Sequence, residues 1–322
     1  MSEGRRVLAA TLLLATLLTG LLIWTHYPTI TTTTRNTITP DWIKTIFHDD
    51  AREEWITWIY DDLVTRRTLL LPSKPHAITA EPGMVRLFNQ LVCHHSELFV
   101  DIGMNSGFYS LLASVRGCRV LAAEIQPSCI AMMRFAERAN FIAAEVEIVQ
   151  APITGKDGES FPIDISRPCE GMLSLFWKGT GKTQMLSQTL DTLLPPSRGH
   201  VAMLKIDIEG FEPHALAGAK QLLRDRRVTA MLVEATWWPN VFSPLVRAYE
   251  ATAHLFDHGY TVRCIGWHPV WDREFTSAKQ WIDYGASPEA SQPLAGDAEG
   301  RRVSGCNNYL ICLAPCPLVI RS

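Results

Sequence analysis

The chain has 322 residues, 47% of them hydrophobic, and a formal net charge of −3. That is enough apolar material for a full core, and the balanced charge excludes a broad polyanion-binding surface, so nucleic acid is not an expected partner. Its eight cysteines include no Cys-x-x-Cys pair, which leaves neither a zinc site nor a thioredoxin-like motif to read.

Residues 1–6 form a short tail carrying Arg5 and Arg6, and residues 7–24 are an uncharged apolar run. As a helix that run spans about 27 Å, just sufficient for a bilayer. The next cation is Arg35, so the positive-inside bias predicts a single-pass type II anchor with the bulk of the chain lumenal, in the ER or Golgi. A cleaved signal peptide is the alternative. No small-x-small site follows the run, and Trp24 to Tyr27 reads as an interfacial belt instead.

Residues 25–40 are a Thr-rich stem. Residues 41–85 are expected to be helical, with one helix over 41–66: Asp41 follows Pro40 as a cap, and Ile43, Phe47, Trp55, Trp58 and Leu63 recur at helical spacing. A lid over the site is one role for it. His94 and His95 read as loop residues rather than metal ligands.

From residue 86 to 317 strands and helices alternate. Strands are expected near 98–101, 118–124, 145–150, 201–207, 228–234, 260–266 and 308–314, and helices near 107–115, 128–139, 213–224 and 243–257. This is an α/β pattern, a Rossmann-like sheet of seven mostly parallel strands with helices on both faces. Cys118 and Cys129 bracket one strand, roughly 30 Å apart, which excludes them as a disulfide. Asp101, Glu124, Gln150, Asp207 and Glu234 all fall at strand ends, where such sheets bind ligands.

The stretch Asp101-Ile-Gly-Met-Asn-Ser-Gly107 is a strand running through a tight turn into a helix, whose N-terminal amides offer a docking point. Gly103 and Gly107 are read as allowing close approach of a ligand, and Asn105 as a side chain that tolerates positive φ. Without the third glycine of Gly-x-Gly-x-x-Gly the turn is poorly matched to NAD or FAD. Asp101 reads as an acid aimed into the crevice. Glu124, about twenty residues on, reads as an acceptor for two ribose hydroxyls, and Gln150 with Ala151 as the place where an adenine edge is met.

These blocks, with Ala123-Glu-Ile-Gln-Pro127, Thr189-Leu-Asp-Thr-Leu193, Leu204-Lys-Ile-Asp-Ile-Glu-Gly-Phe-Glu212 and Leu232-Val-Glu234, resemble the FkbM family of S-adenosylmethionine-dependent O-methyltransferases. Met104, Ser106, Ile125 and Phe211 depart from the family pattern. The resemblance implies S-adenosylmethionine as cofactor, an antiparallel final strand, and methyl transfer to a hydroxyl.

For that chemistry Asp207 is the best candidate for a proton acceptor, since it ends an apolar strand beside the cofactor strand; the other reading is an acid that orders the strand-to-helix turn. Glu209 reads either as a second catalytic or acceptor-binding acid or as a complement to the same helix N-terminus. Glu212 reads as an acid complementing a helix N-terminus, Lys205 as a salt-bridged structural residue, and His214 as a less favoured proton shuttle. Trp237, Trp238, Trp267 and Trp271 either overlook the crevice as sugar platforms or belong to core and rim. The expected acceptor is a carbohydrate hydroxyl; a lipid or small-molecule hydroxyl, and an inactive scaffold that keeps the fold, are the alternatives.

Overall fold

The computed structural model describes residues 58–62, 65–71, 82–90, 97–142, 146–169, 181–235, 238–242, 244–265, 273–287, 290 and 308–316. The expected anchor at 7–24 and the stem lie outside these residues, as do His94, His95, Trp237, Trp267 and Trp271. Among the described residues no helix is long and apolar enough to cross a membrane.

The helix expected over 41–66 is corrected at its described end. There β1 (Trp58–Asp62) and β2 (Arg67–Leu71) form an antiparallel hairpin with Arg66 in the left-handed region at φ 57. Asp62 closes the turn, accepting from Thr65 N at 3.1 Å and Thr65 Oγ1 at 2.7 Å. Leu69 and Leu71 are buried while Leu70 is only partly so, the two-residue period of a strand that covers a core. The same apolar density fits a helical period when read from sequence, and tertiary contacts decide. Arg116 reaches Asp62 at 2.6 Å, and Asn140 brackets Leu70, accepting from its N–H at 2.7 Å and donating to its C=O at 2.8 Å.

After α1 (Pro82–Phe88), the main domain begins with β3 (Leu98–Ile102) and α2 (Phe108–Val115), then β4 (Arg119–Ala123) and α3 (Pro127–Ala139), then β5 (Glu147–Val149). A separate hairpin of β6 (Ser160–Ile163) and β7 (Thr183–Leu186) and the short α4 (Leu190–Leu193) follow. The second half runs β8 (Val201–Ile206), α5 (Glu212–Ala217), α6 (Lys220–Arg224), β9 (Val228–Glu234), α7 (Trp238–Val241), α8 (Val246–Thr252), β10 (Tyr260–Ile265), β11 (Glu274–Phe275), α9 (Ala278–Gly285) and β12 (Asn308–Leu313).

The principal sheet has the order β11-β10-β12-β9-β8-β3-β4-β5. The neighbours from β9 through β5 are parallel, and β12 lies antiparallel between β9 and β10, as expected of the final strand. An eighth, two-residue strand, β11, is added at the edge. One face packs Leu216, Leu223, Ala248, Tyr249 and Trp281. The other packs Leu87, Phe88, Leu111, Leu112, Met133 and Ala136. Each fully buried leucine, methionine or phenylalanine among them contributes about 1.5–3 kcal/mol.

Two expected helices are shorter than their patterns. The one over 213–224 breaks at Gly218, whose backbone lies so close to the loop after β5 that a Cβ would meet the Thr154 carbonyl at 2.5 Å. The one over 243–257 becomes α8 and a 3₁₀ turn at Ala253–His258.

Candidate functional site

Chain direction across the sheet reverses between β3 and β8, so the crevice beyond their carboxyl ends is the topological switch point. A cleft lies there, walled on one side by Gly103, Asn105, Glu124, Ala151 and Ile153 and on the other by Asp207, Ile208 and Glu209. The turn after β3 has Gly103 at φ 78, Asn105 at φ 54 and Gly107 at φ 90. Asn105 therefore does adopt the conformation for which its side chain is suited.

Both glycines are demanded first by the protein itself. A Cβ on Gly103 would meet the Asp207 carbonyl at 1.8 Å, and one on Gly107 would meet Met133 Sδ at 2.2 Å. Gly103 borders the cleft as well. Gly107 is not among the residues that wall it and packs α2 against α3.

Glu124 borders the cleft and is 6% exposed. Its Oε1 accepts from the N–H groups of Ile125 (2.8 Å) and Gln126 (2.9 Å), and its Oε2 from Asn105 N (2.8 Å). Burial pushes its carboxyl above the ordinary range, and these amides partly offset the shift. The Gln126 side chain also donates to this carboxylate, so four protein donors surround it, and a ligand hydroxyl would meet it by sharing or displacing one of them. Gln150 is exposed, donates to Ile125 O at 3.2 Å and stands outside the cleft; Ala151 is buried and borders it.

Asp101 is not aimed into the crevice. It is fully buried on the same face as Phe99, beneath α2, where its Oδ2 accepts from Ser110 Oγ at 2.7 Å. Lys205 Nζ lies 3.6 Å from its Oδ1 and 3.0 Å from Asp207 Oδ2, and donates to Gly103 O at 3.4 Å. Burial pushes the Asp101 carboxyl up, and Lys205 and Ser110 pull against that. Lys205 is thus the structural cation the sequence suggests, joining the two strands that flank the switch point.

Asp207, Glu209 and Glu234 come together at the ends of β8 and β9, with one carboxylate oxygen from each within 4.8 Å of the others. Glu209 has φ 56 and precedes Gly210 at φ 102. The turn that carries it is held by Glu212, which does more than complement a helix N-terminus. Glu212 is buried; its Oε1 accepts from Ile208 N (2.9 Å) and Gly210 N (3.1 Å), and its Oε2 from Trp238 Nε1 (3.0 Å). Burial pushes its carboxyl up to about 7. Trp238 is correspondingly a core residue rather than a platform over the crevice. His214 stacks on Phe242 (5.8 Å), lies tilted against Phe211 (5.1 Å) and does not border the cleft.

Cysteine placement adds a staple beside this site. Cys129 in α3 pairs with Cys169, whose Sγ lies 3.3 Å from Asn105 Oδ1, and Cys312 pairs with Cys316. Cys118 and Cys264 are also in disulfides.

The methyltransferase FkbM domain model matches residues 101–262, half of the chain. Among solved structures, cofactor-bound Rv0187 from MTB is 15% identical, with 86% of this chain and 90% of that one covered at a TM-score of 0.40. Precorrin-6y C5,15-methyltransferase from Geobacter metallireducens GS-15 is 16% identical, covering 74% and 90% at 0.35. A tRNA (uracil-54, C5)-methyltransferase from Pyrococcus abyssi in complex with S-adenosyl-L-homocysteine is 15% identical, covering 55% and 34% at 0.30. With superpositions this loose, the assignment rests on the family match. No match is found among curated proteins.

Proposed function

The chain belongs to the FkbM methyltransferase family, whose cofactor is S-adenosylmethionine, and from that premise we propose that it transfers the methyl group to a hydroxyl oxygen, most naturally one on a glycan or glycolipid. The observation that carries this reading is the composition of the cleft: a ribose-competent carboxylate and apolar wall on one side, and proton-accepting carboxylates on the other.

The residues present fit the cofactor. Glu124 brings its carboxylate to the cleft, where ribose hydroxyls can take the place of the Gln126 side chain, Ala151 and Ile153 offer an apolar wall to an adenine, and the Gly103–Asn105 turn borders the space between. When bound, S-adenosylmethionine supplies a carbon already activated by its sulfonium, so the protein's tasks are alignment and proton removal. Asp207, with Oδ2 fixed by Lys205 at 3.0 Å, is placed to accept the hydroxyl proton. The bound cofactor would supply the methyl carbon to the acceptor oxygen, its carbon–sulfur bond breaking as the new carbon–oxygen bond forms. Glu209 and Glu234 offer further acceptors to the remaining hydroxyls of a polyol, which supports a sugar over a lone aliphatic alcohol.

Disulfides at Cys129–Cys169 and Cys312–Cys316 support an oxidising compartment, consistent with a domain tethered by residues 7–24 in the secretory lumen, where glycans are abundant. The test is to incubate the protein with methyl-labelled S-adenosylmethionine and oligosaccharides or glycolipids. The expected product is an alkali-stable methyl ether on a sugar carbon. Label recovered only as alkali-labile ester or on nitrogen would overturn oxygen-ether formation.

A further inference from the structure

We propose that the acceptor side of the cleft is a divalent-cation site, in which Asp207, Glu209 and Glu234 supply carboxylate oxygens and Asn308 its side-chain amide oxygen. The ion's role in turnover rests on the methyl-transfer reading above; its binding does not.

Distances on the page suit one ion. Oxygens on opposite sides of a Ca²⁺ stand about 4.6–5.2 Å apart and those around a Mg²⁺ about 4.0–4.2 Å, twice the respective metal–oxygen distance. Ligand atoms of Asp207, Glu209 and Glu234 all lie within 4.8 Å of one another. An ion among them touches all three with little movement. Oxygen donors without sulfur or imidazole select hard cations such as Mg²⁺, Mn²⁺ or Ca²⁺.

Acidic residues often gather without binding anything, and the second observation comes from a neutral residue. Asn308 is 6% exposed, and its Oδ1 has no hydrogen-bond partner among the described residues. It stands directly opposite Glu234 in the antiparallel pairing of β12 with β9. Paired residues on neighbouring strands present their side chains to the same face. The alternation agrees, since Leu310 and Cys312 pack in the same core layer as Leu232 and Ala230. A buried amide oxygen without a donor costs about 1–3 kcal/mol, and beside a carboxylate trio a cation is the partner that satisfies it and offsets the crowded charge.

An ion here would bind the acceptor hydroxyl and lower its pKa, so that the proton leaves to a site carboxylate before the oxygen attacks the methyl carbon. Spacing along the chain concealed the set, because residues 207, 209, 234 and 308 meet only through the order of the sheet.

The test is a Mn²⁺ titration of the purified protein followed by the loss of the free-ion EPR signal, with S-adenosylmethionine binding measured alongside. One bound Mn²⁺ per chain is expected, weakened roughly tenfold or more by Asn308→Ala and by Glu234→Gln, with cofactor binding retained. Asn308→Asp, which keeps an oxygen ligand, should restore or tighten Mn²⁺ binding, and it covers the case in which the alanine variant fails to fold. No stoichiometric Mn²⁺, or binding that falls with Glu234→Gln yet ignores both Asn308 changes, would overturn the site. Cofactor binding that persists in either case leaves the methyltransferase reading intact.

Discussion

The two sides of the cleft handle carboxylates in opposite ways. On the wall built from β3, β4 and β5, Glu124 is ringed by three backbone amides, so its charge is met by donors that the fold supplies. On the wall that follows β8, the carboxylates of Asp207 and Glu209 crowd together with Glu234 from the end of β9, and the adjoining Lys205 is shared between Asp207 and Asp101. The first wall suits neutral hydroxyls of a bound nucleoside. The second is suited to taking up protons and to holding positive charge.

The sharpest way to separate the walls is Asp207→Asn. Turnover should fall by about 10²–10⁴-fold, the usual worth of a positioned proton acceptor, while cofactor affinity stays unchanged; single-turnover rates and calorimetry measure the two separately. Wild-type turnover would remove Asp207 from the chemistry. Next in size is the staple on the cofactor wall. Cys169→Ser opens a link between residues 40 apart and should lower unfolding free energy by about 2–4 kcal/mol, read from denaturant melts against wild type.

Glu212 gives a pH signature peculiar to the acceptor wall. Its carboxyl is raised from 4.5 in the unfolded reference to about 7 in the fold, chiefly by burial. A raised carboxyl favours the folded state when protonated, so its contribution is fully present below pH 4.5 and is lost as pH rises toward about 7. Glu212→Gln should flatten the stability profile across that window; an unchanged slope would show that Glu212 is not the titrating group. Smallest is Trp238→Phe, which removes one donor from Glu212 and should cost about 1–3 kcal/mol in thermal unfolding.

Much of the cofactor wall was legible in the chain. Asn105 at positive φ, the glycines of the turn, and Glu124 at the end of β4 follow from local rules about strand ends and tight turns. Asp101 shows the limit of those rules. Position at a strand end does not say which face the side chain takes, and Ser110 and Lys205 draw it beneath α2. The acceptor wall was only partly legible. Asp207 and Glu209 sit in one motif, yet Glu212 as a clasp needs Trp238, and Glu234 beside Asn308 needs the antiparallel insertion of β12. The β1–β2 hairpin was misread for a related reason: its apolar residues fit two periods, and the choice is made by Arg116 and Asn140 from distant helix ends.

The most direct test of the central claim is a calorimetric titration of the purified protein with S-adenosylmethionine. One site per chain is expected, weakened roughly 10- to 100-fold by Glu124→Gln through loss of charged hydrogen bonds and unaffected by Asp207→Asn. Absence of binding, or binding indifferent to Glu124, would contradict the account.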